Sequence, residues 1–314
     1  MIANEMSHVE RTLQSVIDSD IVTAFDLANQ LLSSGGKRIR PSLLVLSALA
    51  CDRCDLDQMA YLAAATELVH MASLVHDDVI DESSERRGAA TAGDRFGNKI
   101  SVLGGDYLLS KAFNLLCVHG SQEILQTLSS TAVRMTESEI LQASDEGDLA
   151  LWEADYWRII DGKTADFMGS CCQCGALLAG ADLATCKALR GYGTQLGLAF
   201  QIIDDVLDIA GDRSLTGKEI GADLMHGKFT LPVLLALRYS EDGSLRHRLS
   251  KGSFSISEAE EIAAIVVSSG GLNEAKSVAV NCAEEAVKHI SGLQSSIYTE
   301  ALTALAAFVI SREG

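Results

Sequence analysis

Apolar residues recur at helical spacing along nearly the whole chain, and no segment sustains the two-residue alternation of a half-buried strand. The pattern predicts a helix over 21–32, stopped by Gly35 and Gly36, and places Pro41 as the first residue of a helix running to 50. Residues 55–79 read as one long helix, apolar enough to be packed on several sides, that ends in a run of acids. The polar, glycine-containing stretch 82–99 reads as a surface loop. Further helices are predicted over 106–118, 124–143, 156–179 and 183–209, with a charged link at 145–153. A loop rich in Gly, Lys and Asp covers 211–229, Pro232 opens the next helix, and helices over 258–268, 271–293 and 298–310 complete the set. This is an all-α chain of about ten or more helices, read as a single domain over residues 1–314, with no low-complexity linker and no short-period repeat.

One echo stands out at long range. HDDVIDE at 76–82 recurs in outline as DDVLDIA at 204–210, each at the end of a long apolar helix. Four residues separate Asp77 from Asp81, so on a helix they share a face about 6 Å apart, with Asp78 turned roughly 100° away. Asp204, Asp205 and Asp208 repeat the arrangement. A helix C-terminus disfavours anions by about 0.3–1 kcal/mol, and three like charges repel one another, so both placements are unfavourable until a divalent cation reverses them. An oxygen-only ligand set selects magnesium, with manganese as a substitute, held by carboxylates, waters and substrate phosphates. A single acidic helix end is ordinarily just a solvated one; two copies of DDxxD after apolar runs argue for a metal-dependent site.

Composition narrows the picture further. Only two prolines, Pro41 and Pro232, and 5% aromatics in 314 residues favour helix over sheet. With 25 Lys and Arg against 43 Asp and Glu, the formal charge of -18 repels a nucleic acid surface. No run of 18 to 20 uncharged apolar residues occurs, and MIANEMSHVERTL lacks the features of a signal peptide, so a cytoplasmic protein without stable membrane insertion is expected. The eight cysteines fit a reducing compartment. Cys51 and Cys54 have the spacing of half a zinc site, but Cys171, Cys172 and Cys174 lie in an Ala/Gly/Leu run that reads as buried helix, and no His completes a set.

Against this acidic background the basic clusters require an explanation. Lys37, Arg38 and Arg40 follow the glycine pair, Arg86 and Arg87 follow the first acids, Lys163 precedes Thr164, and Lys218 and Lys228 lie downstream of the second acids. Arginine forks grip phosphate oxygens in pairs and lysines act as mobile point charges, so the common destination is a polyphosphate bridged by metal ions.

The chain resembles the trans-isoprenyl diphosphate synthases, the polyprenyl synthetases. The resemblance is carried, in order, by GGKRIRP at 35–41, ELVHMASLVHDDVIDESSERRG at 67–88, FGN at 96–98, GDYLL at 105–109, GKTA at 162–165, FQIIDDVLDI at 200–209 and GADLMHGKFTLP at 221–232. It implies the all-helical prenyl synthase fold around a central cavity, and a homodimer. It also implies that Asp77, Asp78, Asp81, Asp204 and Asp208 carry magnesium on an allylic diphosphate, with Asp205 acting mainly in the hydrogen-bond network. Arg86, Lys163, Lys218 and Lys228 would hold that diphosphate. Lys37, Arg40, His70 and Arg87 would hold isopentenyl diphosphate, and Thr164 and Gln201 would lie beside the reacting carbons.

A growing hydrocarbon needs a tunnel, and the helix ending at Asp77 can line it. Ala72 and Ser73 lie one turn above that aspartate and leave room; Phe113 or Leu116 would form a deeper floor. An aromatic at the position of Ala72 or Ser73 typifies short-chain members of the family, so the resemblance implies a long-chain product. A farnesyl or geranylgeranyl diphosphate synthase, and the catalytic subunit of a heteromeric synthase with a small regulatory partner, are the alternatives.

Overall fold

The computed structural model describes residues 1–51, 55–86, 88–211, 220–240 and 243–312. Helices dominate these residues, and a hairpin of two-residue strands, 85–86 against 89–90, forms the only sheet among them. The all-α class is therefore as predicted. The chain divides into two compact units, one made of Met1–Ser130, Ser170–Leu189 and Gln294–Thr299, the other of Thr131–Gly169, Arg190–Leu293 and Glu300–Gly314.

In the first unit α1 (Ala3–Val16), α2 (Val22–Ser33) and α3 (Ile39–Cys51) precede the long α4 (Leu56–Ile80). Asp55 caps α4 by accepting the Gln58 N–H at 2.9 Å. Apolar side chains surround α4 on every face, with Leu62, Ala63, Ala64, Ala65 and Leu68 all fully buried, because α1, α3 and α6 (Asn98–His119) pack against it. The α4–α6 approach depends on Gly105, where a Cβ would lie 2.2 Å from His76 Nε2. The stretch predicted as loop contains the hairpin β1 (Glu85–Arg86) and β2 (Ala89–Ala90) and the one-turn α5 (Ala92–Phe96), capped by Thr91, and α6 begins at Asn98 rather than near 106.

The second unit includes the later part of α7 (Gln122–Asp145), α8 (Leu149–Ile160) and most of α10 (Leu183–Ala210); α9 (Asp166–Leu178) contributes its first turn. After these come α11 (Ala222–Met225), α12 (Leu231–Ala236), α13 (Ser244–Leu249), α14 (Ile256–Ser269), α15 (Gly271–Ile290) and α16 (Ile297–Ile310). Its core gathers Trp152, Ile202, Ile203, Phe229, Leu245 and Ile262. Asp148 caps α8 through the N–H groups of Ala150 and Leu151, which shrinks the expected charged link to three residues. Tyr192 donates to the Leu302 carbonyl at 2.7 Å, tying α16 to α10.

One departure from the sequence reading matters for chemistry. The helix expected over 156–179 is interrupted by a π-turn, Asp161–Ala165, closed by the Asp166 N–H donating to the Asp161 carbonyl. Single π-turns of this kind insert one extra residue into a helix and recur at functional sites.

Candidate active site

The first aspartate set sits where α4 ends. Asp81 is the C-cap, and its N–H donates to the Asp77 carbonyl at 2.8 Å, so Asp77 and Asp81 stand on successive turns of one face as their spacing predicts. Asp78 turns inward, is 3% exposed, and accepts from Arg86 Nε at 2.7 Å. The hairpin returns Arg86 to the helix it has just left, so this arginine, predicted as a diphosphate ligand, is engaged with Asp78. Burial raises the Asp78 carboxyl above its ordinary range; the Arg86 bond and charge oppose this, and the charges of Asp77 and Asp81 add to it. Such like-charge crowding, on an oxygen-only donor set, fits a divalent cation.

The glycine-rich segment before α3 separates its basic residues by direction. Gly35 has φ +71° and Arg38 φ +48°, a left-handed value that few side chains tolerate. Lys37 is exposed, while Arg38 turns inward to donate to Glu10 Oε1 at 2.7 Å, Glu67 Oε1 at 2.8 Å and the Leu32 carbonyl at 3.0 Å. Arg40 is half-buried, and burial lowers its pKa against the opposing charges of Cys171, Glu67 and Asp77, so it lies within the field of the first aspartate set. His70 is half-exposed on α4, and Ser73 Oγ donates to its carbonyl at 2.8 Å. Arg87 lies outside the described residues.

The second set is arranged around a relay of hydrogen bonds. Thr164 Oγ1, in the π-turn, donates to Gln201 Oε1 at 2.9 Å; Gln201 Nε2 donates to Asp205 Oδ1 at 3.0 Å; and the Tyr156 hydroxyl donates to Asp205 Oδ2 at 2.6 Å. Asp205 is 2% exposed, and burial together with the charges of Asp223 and Asp204 pushes its carboxyl up to about 8, despite the bonds from Tyr156 and Gln201. Both its oxygens face protein donors. Asp204 and Asp208, three and seven residues beyond Gln201, are less buried. Asp208 accepts weakly from the Asp223 N–H at 3.3 Å, and Asp204 accepts from Arg312 Nη2 at 3.3 Å. Arg312 is nearly buried, with its guanidinium 4.6 Å from the Phe200 ring centroid. Lys163 pairs with Glu139 at 2.6 Å, and Lys228 is 9% exposed beside α11, its N–H donating to the Asp223 carbonyl. Lys218 lies outside the described residues.

Sequence reasoning missed Tyr156, Glu139, Asp223 and the arginines that flank the π-turn, since nothing in their local pattern distinguishes them from ordinary helix residues. Cys171, Cys172 and Cys174 are buried and form no disulfide, and burial raises the thiols of Cys171 and Cys172, the latter to about 12, which disfavours their serving as metal thiolates. Ala72 is buried on α4, Ser73 is half-exposed, and on α6 Leu116 is fully buried while Phe113 is half-exposed.

The model of the family described as polyprenyl synthetase matches residues 23–266, which include all the motif residues above. The chain belongs to the polyprenyl synthetase family. It is accordingly a trans-prenyltransferase, of a family whose members use a divalent metal. Among its relatives is the octaprenyl diphosphate synthase of Escherichia coli (strain K12), 35% identical over 325 residues, which covers 100% of this chain and 97% of that protein. Heptaprenyl diphosphate synthase component 2 of Geobacillus stearothermophilus is 39% identical over 236 residues, 75% of this chain and 73% of the relative. A polyprenyl synthase from Caulobacter crescentus CB15, solved in complex with calcium and isoprenyl diphosphate, superposes with a TM-score of 0.94 at 35% identity, covering 100% of this chain and 96% of that one. As in other prenyl synthases the scaffold is helical, and among the described residues no helix is long and apolar enough to cross a membrane.

Proposed function

We propose that this polyprenyl synthetase, acting as one catalytic domain over residues 1–314, condenses isopentenyl diphosphate head-to-tail with an allylic diphosphate and repeats the step to give a long-chain all-trans polyprenyl diphosphate and pyrophosphate. The observation that carries the long-chain reading is the pair of small residues, Ala72 and Ser73, one turn above Asp77 on α4, a helix that packs along α6. Small side chains there leave a path for a product, and Phe113 or Leu116 on α6 would form its floor. Each added isoprene unit buries several carbons at about 0.8 kcal/mol each, which favours elongation until the floor intervenes.

The metal ions are magnesium, with manganese as a substitute; Asp77, Asp78 and Asp81 would hold them at the first set, and Asp204 and Asp208 at the second. When bound they supply charge stabilisation on the diphosphate leaving group. Arg86, Lys163, Lys218 and Lys228 grip the allylic diphosphate, and Lys37, Arg40, His70 and Arg87 hold isopentenyl diphosphate. As the allylic carbon–oxygen bond breaks, negative charge grows on the leaving diphosphate, where the lysines and Arg86 stabilise it. Thr164 and Gln201 would lie beside the reacting carbons. The isopentenyl double bond attacks the developing allylic cation, and the proton lost from the adduct passes to pyrophosphate, restoring an allylic diphosphate one unit longer.

The enzyme works in the cytoplasm, where the reducing medium keeps cysteines as thiols; none of the seven described cysteines forms a disulfide. It works as a homodimer, as the family resemblance implies. The likeness to component 2 of a heptaprenyl synthase favours one second reading, a catalytic subunit that needs a small regulatory partner. Pyrophosphate release tests the reaction itself. It should require both diphosphates, cease on chelation and return with magnesium; release from isopentenyl diphosphate alone, or undiminished release in chelator, would overturn the assignment.

A further inference from the structure

Lys163 and Thr164 owe their places to the π-turn, and the π-turn is gripped at both ends by one side chain. Arg134, on α7, donates through Nη2 to Asp161 at the first position of the turn, and through Nη1 lies 3.2 Å from Oδ1 of Asp166, the residue that closes it. Asp166 is 4% exposed and has two further donors, Arg190 Nη2 at 2.6 Å and Thr131 Oγ1 at 3.0 Å. The same stretch of α7 touches the middle of the turn. A Cβ on Gly162 would lie 1.9 Å from Ser138 Oγ and 3.1 Å from the Arg134 carbonyl, and Glu139 pairs with Lys163 itself. On the opposite side a Cβ on Gly197 of α10 would lie 2.5 Å from the Ala165 Cα.

We propose that Arg134 is a positioning residue for the allylic substrate: by bridging Asp161 and Asp166 it fixes the span of the π-turn, and so the direction in which Lys163 and Thr164 face the diphosphate and the reacting carbon. The proposal rests on the reading of Lys163 given above. Its physical basis is that a π-turn is a rare backbone state, and a planar guanidinium fork gripping two carboxylates sets the distance between them as a flexible point charge cannot. The arrangement also separates positioning from folding. Without Arg134, Asp166 keeps Arg190 and Thr131, so no buried carboxylate is abandoned, and Asp161, about a third exposed, is solvated. Only the first end of the turn is released.

The test is steady-state kinetics with farnesyl diphosphate and isopentenyl diphosphate on Arg134→Gln, Arg134→Lys, Asp161→Asn and Lys163→Gln, with thermal unfolding measured alongside. Arg134→Gln and Asp161→Asn should each raise KM for farnesyl diphosphate about tenfold, equivalent to about 1.4 kcal/mol, leave KM for isopentenyl diphosphate within about twofold, and keep a cooperative melt; Arg134→Lys should recover part of the loss. Equal changes in both KM values, or wild-type kinetics in Arg134→Gln and Asp161→Asn while Lys163→Gln is impaired, would overturn the clamp and leave the reading of Lys163 standing. Wild-type farnesyl diphosphate KM in Lys163→Gln would overturn that reading and the clamp's purpose with it.

Discussion

The Tyr156 hydroxyl donates to Asp205 Oδ2 at 2.6 Å, and this bond sets Asp205 apart from Asp204 and Asp208 in the second aspartate set. With Gln201 on its other oxygen, Asp205 is committed to the protein interior, where it orients the amide that in turn meets Thr164. On the function proposed above, Asp204 and Asp208 are the members that would carry metal.

Removing that hydroxyl should therefore loosen Gln201 and Thr164 without touching a ligand. Tyr156→Phe is expected to cost about 1–2 kcal/mol of stability, the usual range for a lost hydrogen bond to a buried group. It should also lower kcat about tenfold while KM for both diphosphates changes little. Urea unfolding and initial rates read both; an unaltered kcat would mean that the relay does not position reacting groups.

The aspartates of one motif should separate by direction. Asp204→Asn should raise the magnesium concentration needed for half-maximal rate more than tenfold, because a charged oxygen ligand becomes a neutral one. Asp205→Asn, whose side chain faces Tyr156 and Gln201, should keep the wild-type magnesium requirement. Magnesium titrations of the two variants that gave the same displacement would contradict this division.

Product length should respond to α4. Ala72→Phe and Ser73→Phe each place a ring one turn above Asp77, and chromatography of dephosphorylated products should show a ladder that ends several isoprene units earlier than in the wild type. An unchanged final product would remove the tunnel from this helix. Ala72 is almost fully buried, so Ser73→Phe is the milder test of the two.

Arg38 should matter to stability more than to chemistry. Arg38→Met strips the buried Glu67 of its guanidinium and should cost about 3–5 kcal/mol, whereas Arg38→Met combined with Glu67→Leu should recover most of that loss. Denaturant unfolding of the two variants checks this. Equal destabilisation by both would place the cost in the bonds to Glu10 and the Leu32 carbonyl rather than in the pair with Glu67.

The parts of the fold legible in the sequence were those written in a local period. The end of α4 and its aspartates were readable because a long apolar helix ran directly into them, and Pro232 marked the first turn of α12 as its fixed φ requires. The π-turn was not readable. GKTA continues a helical pattern without a break, and the extra residue is accommodated by the contact of Gly162 with Ser138, which tertiary packing supplies. The partnership of Arg86 with Asp78 was hidden for a related reason: the hairpin that folds the arginine back consists of two-residue strands, too short to carry a period. Spacing alone gave Asp204, Asp205 and Asp208 equal standing; the resemblance set Asp205 apart, and the bonds from Tyr156 and Gln201 supply the physical reason.

The most direct test of the central claim is to incubate the purified chain with magnesium, labelled isopentenyl diphosphate and farnesyl diphosphate, and to separate the dephosphorylated products by chain length. The account predicts a ladder of all-trans prenols converging on one long species. Accumulation of a single product one unit longer than the primer would contradict the long-chain assignment, and no incorporation by the intact protein would contradict autonomous catalysis and point to a required partner subunit.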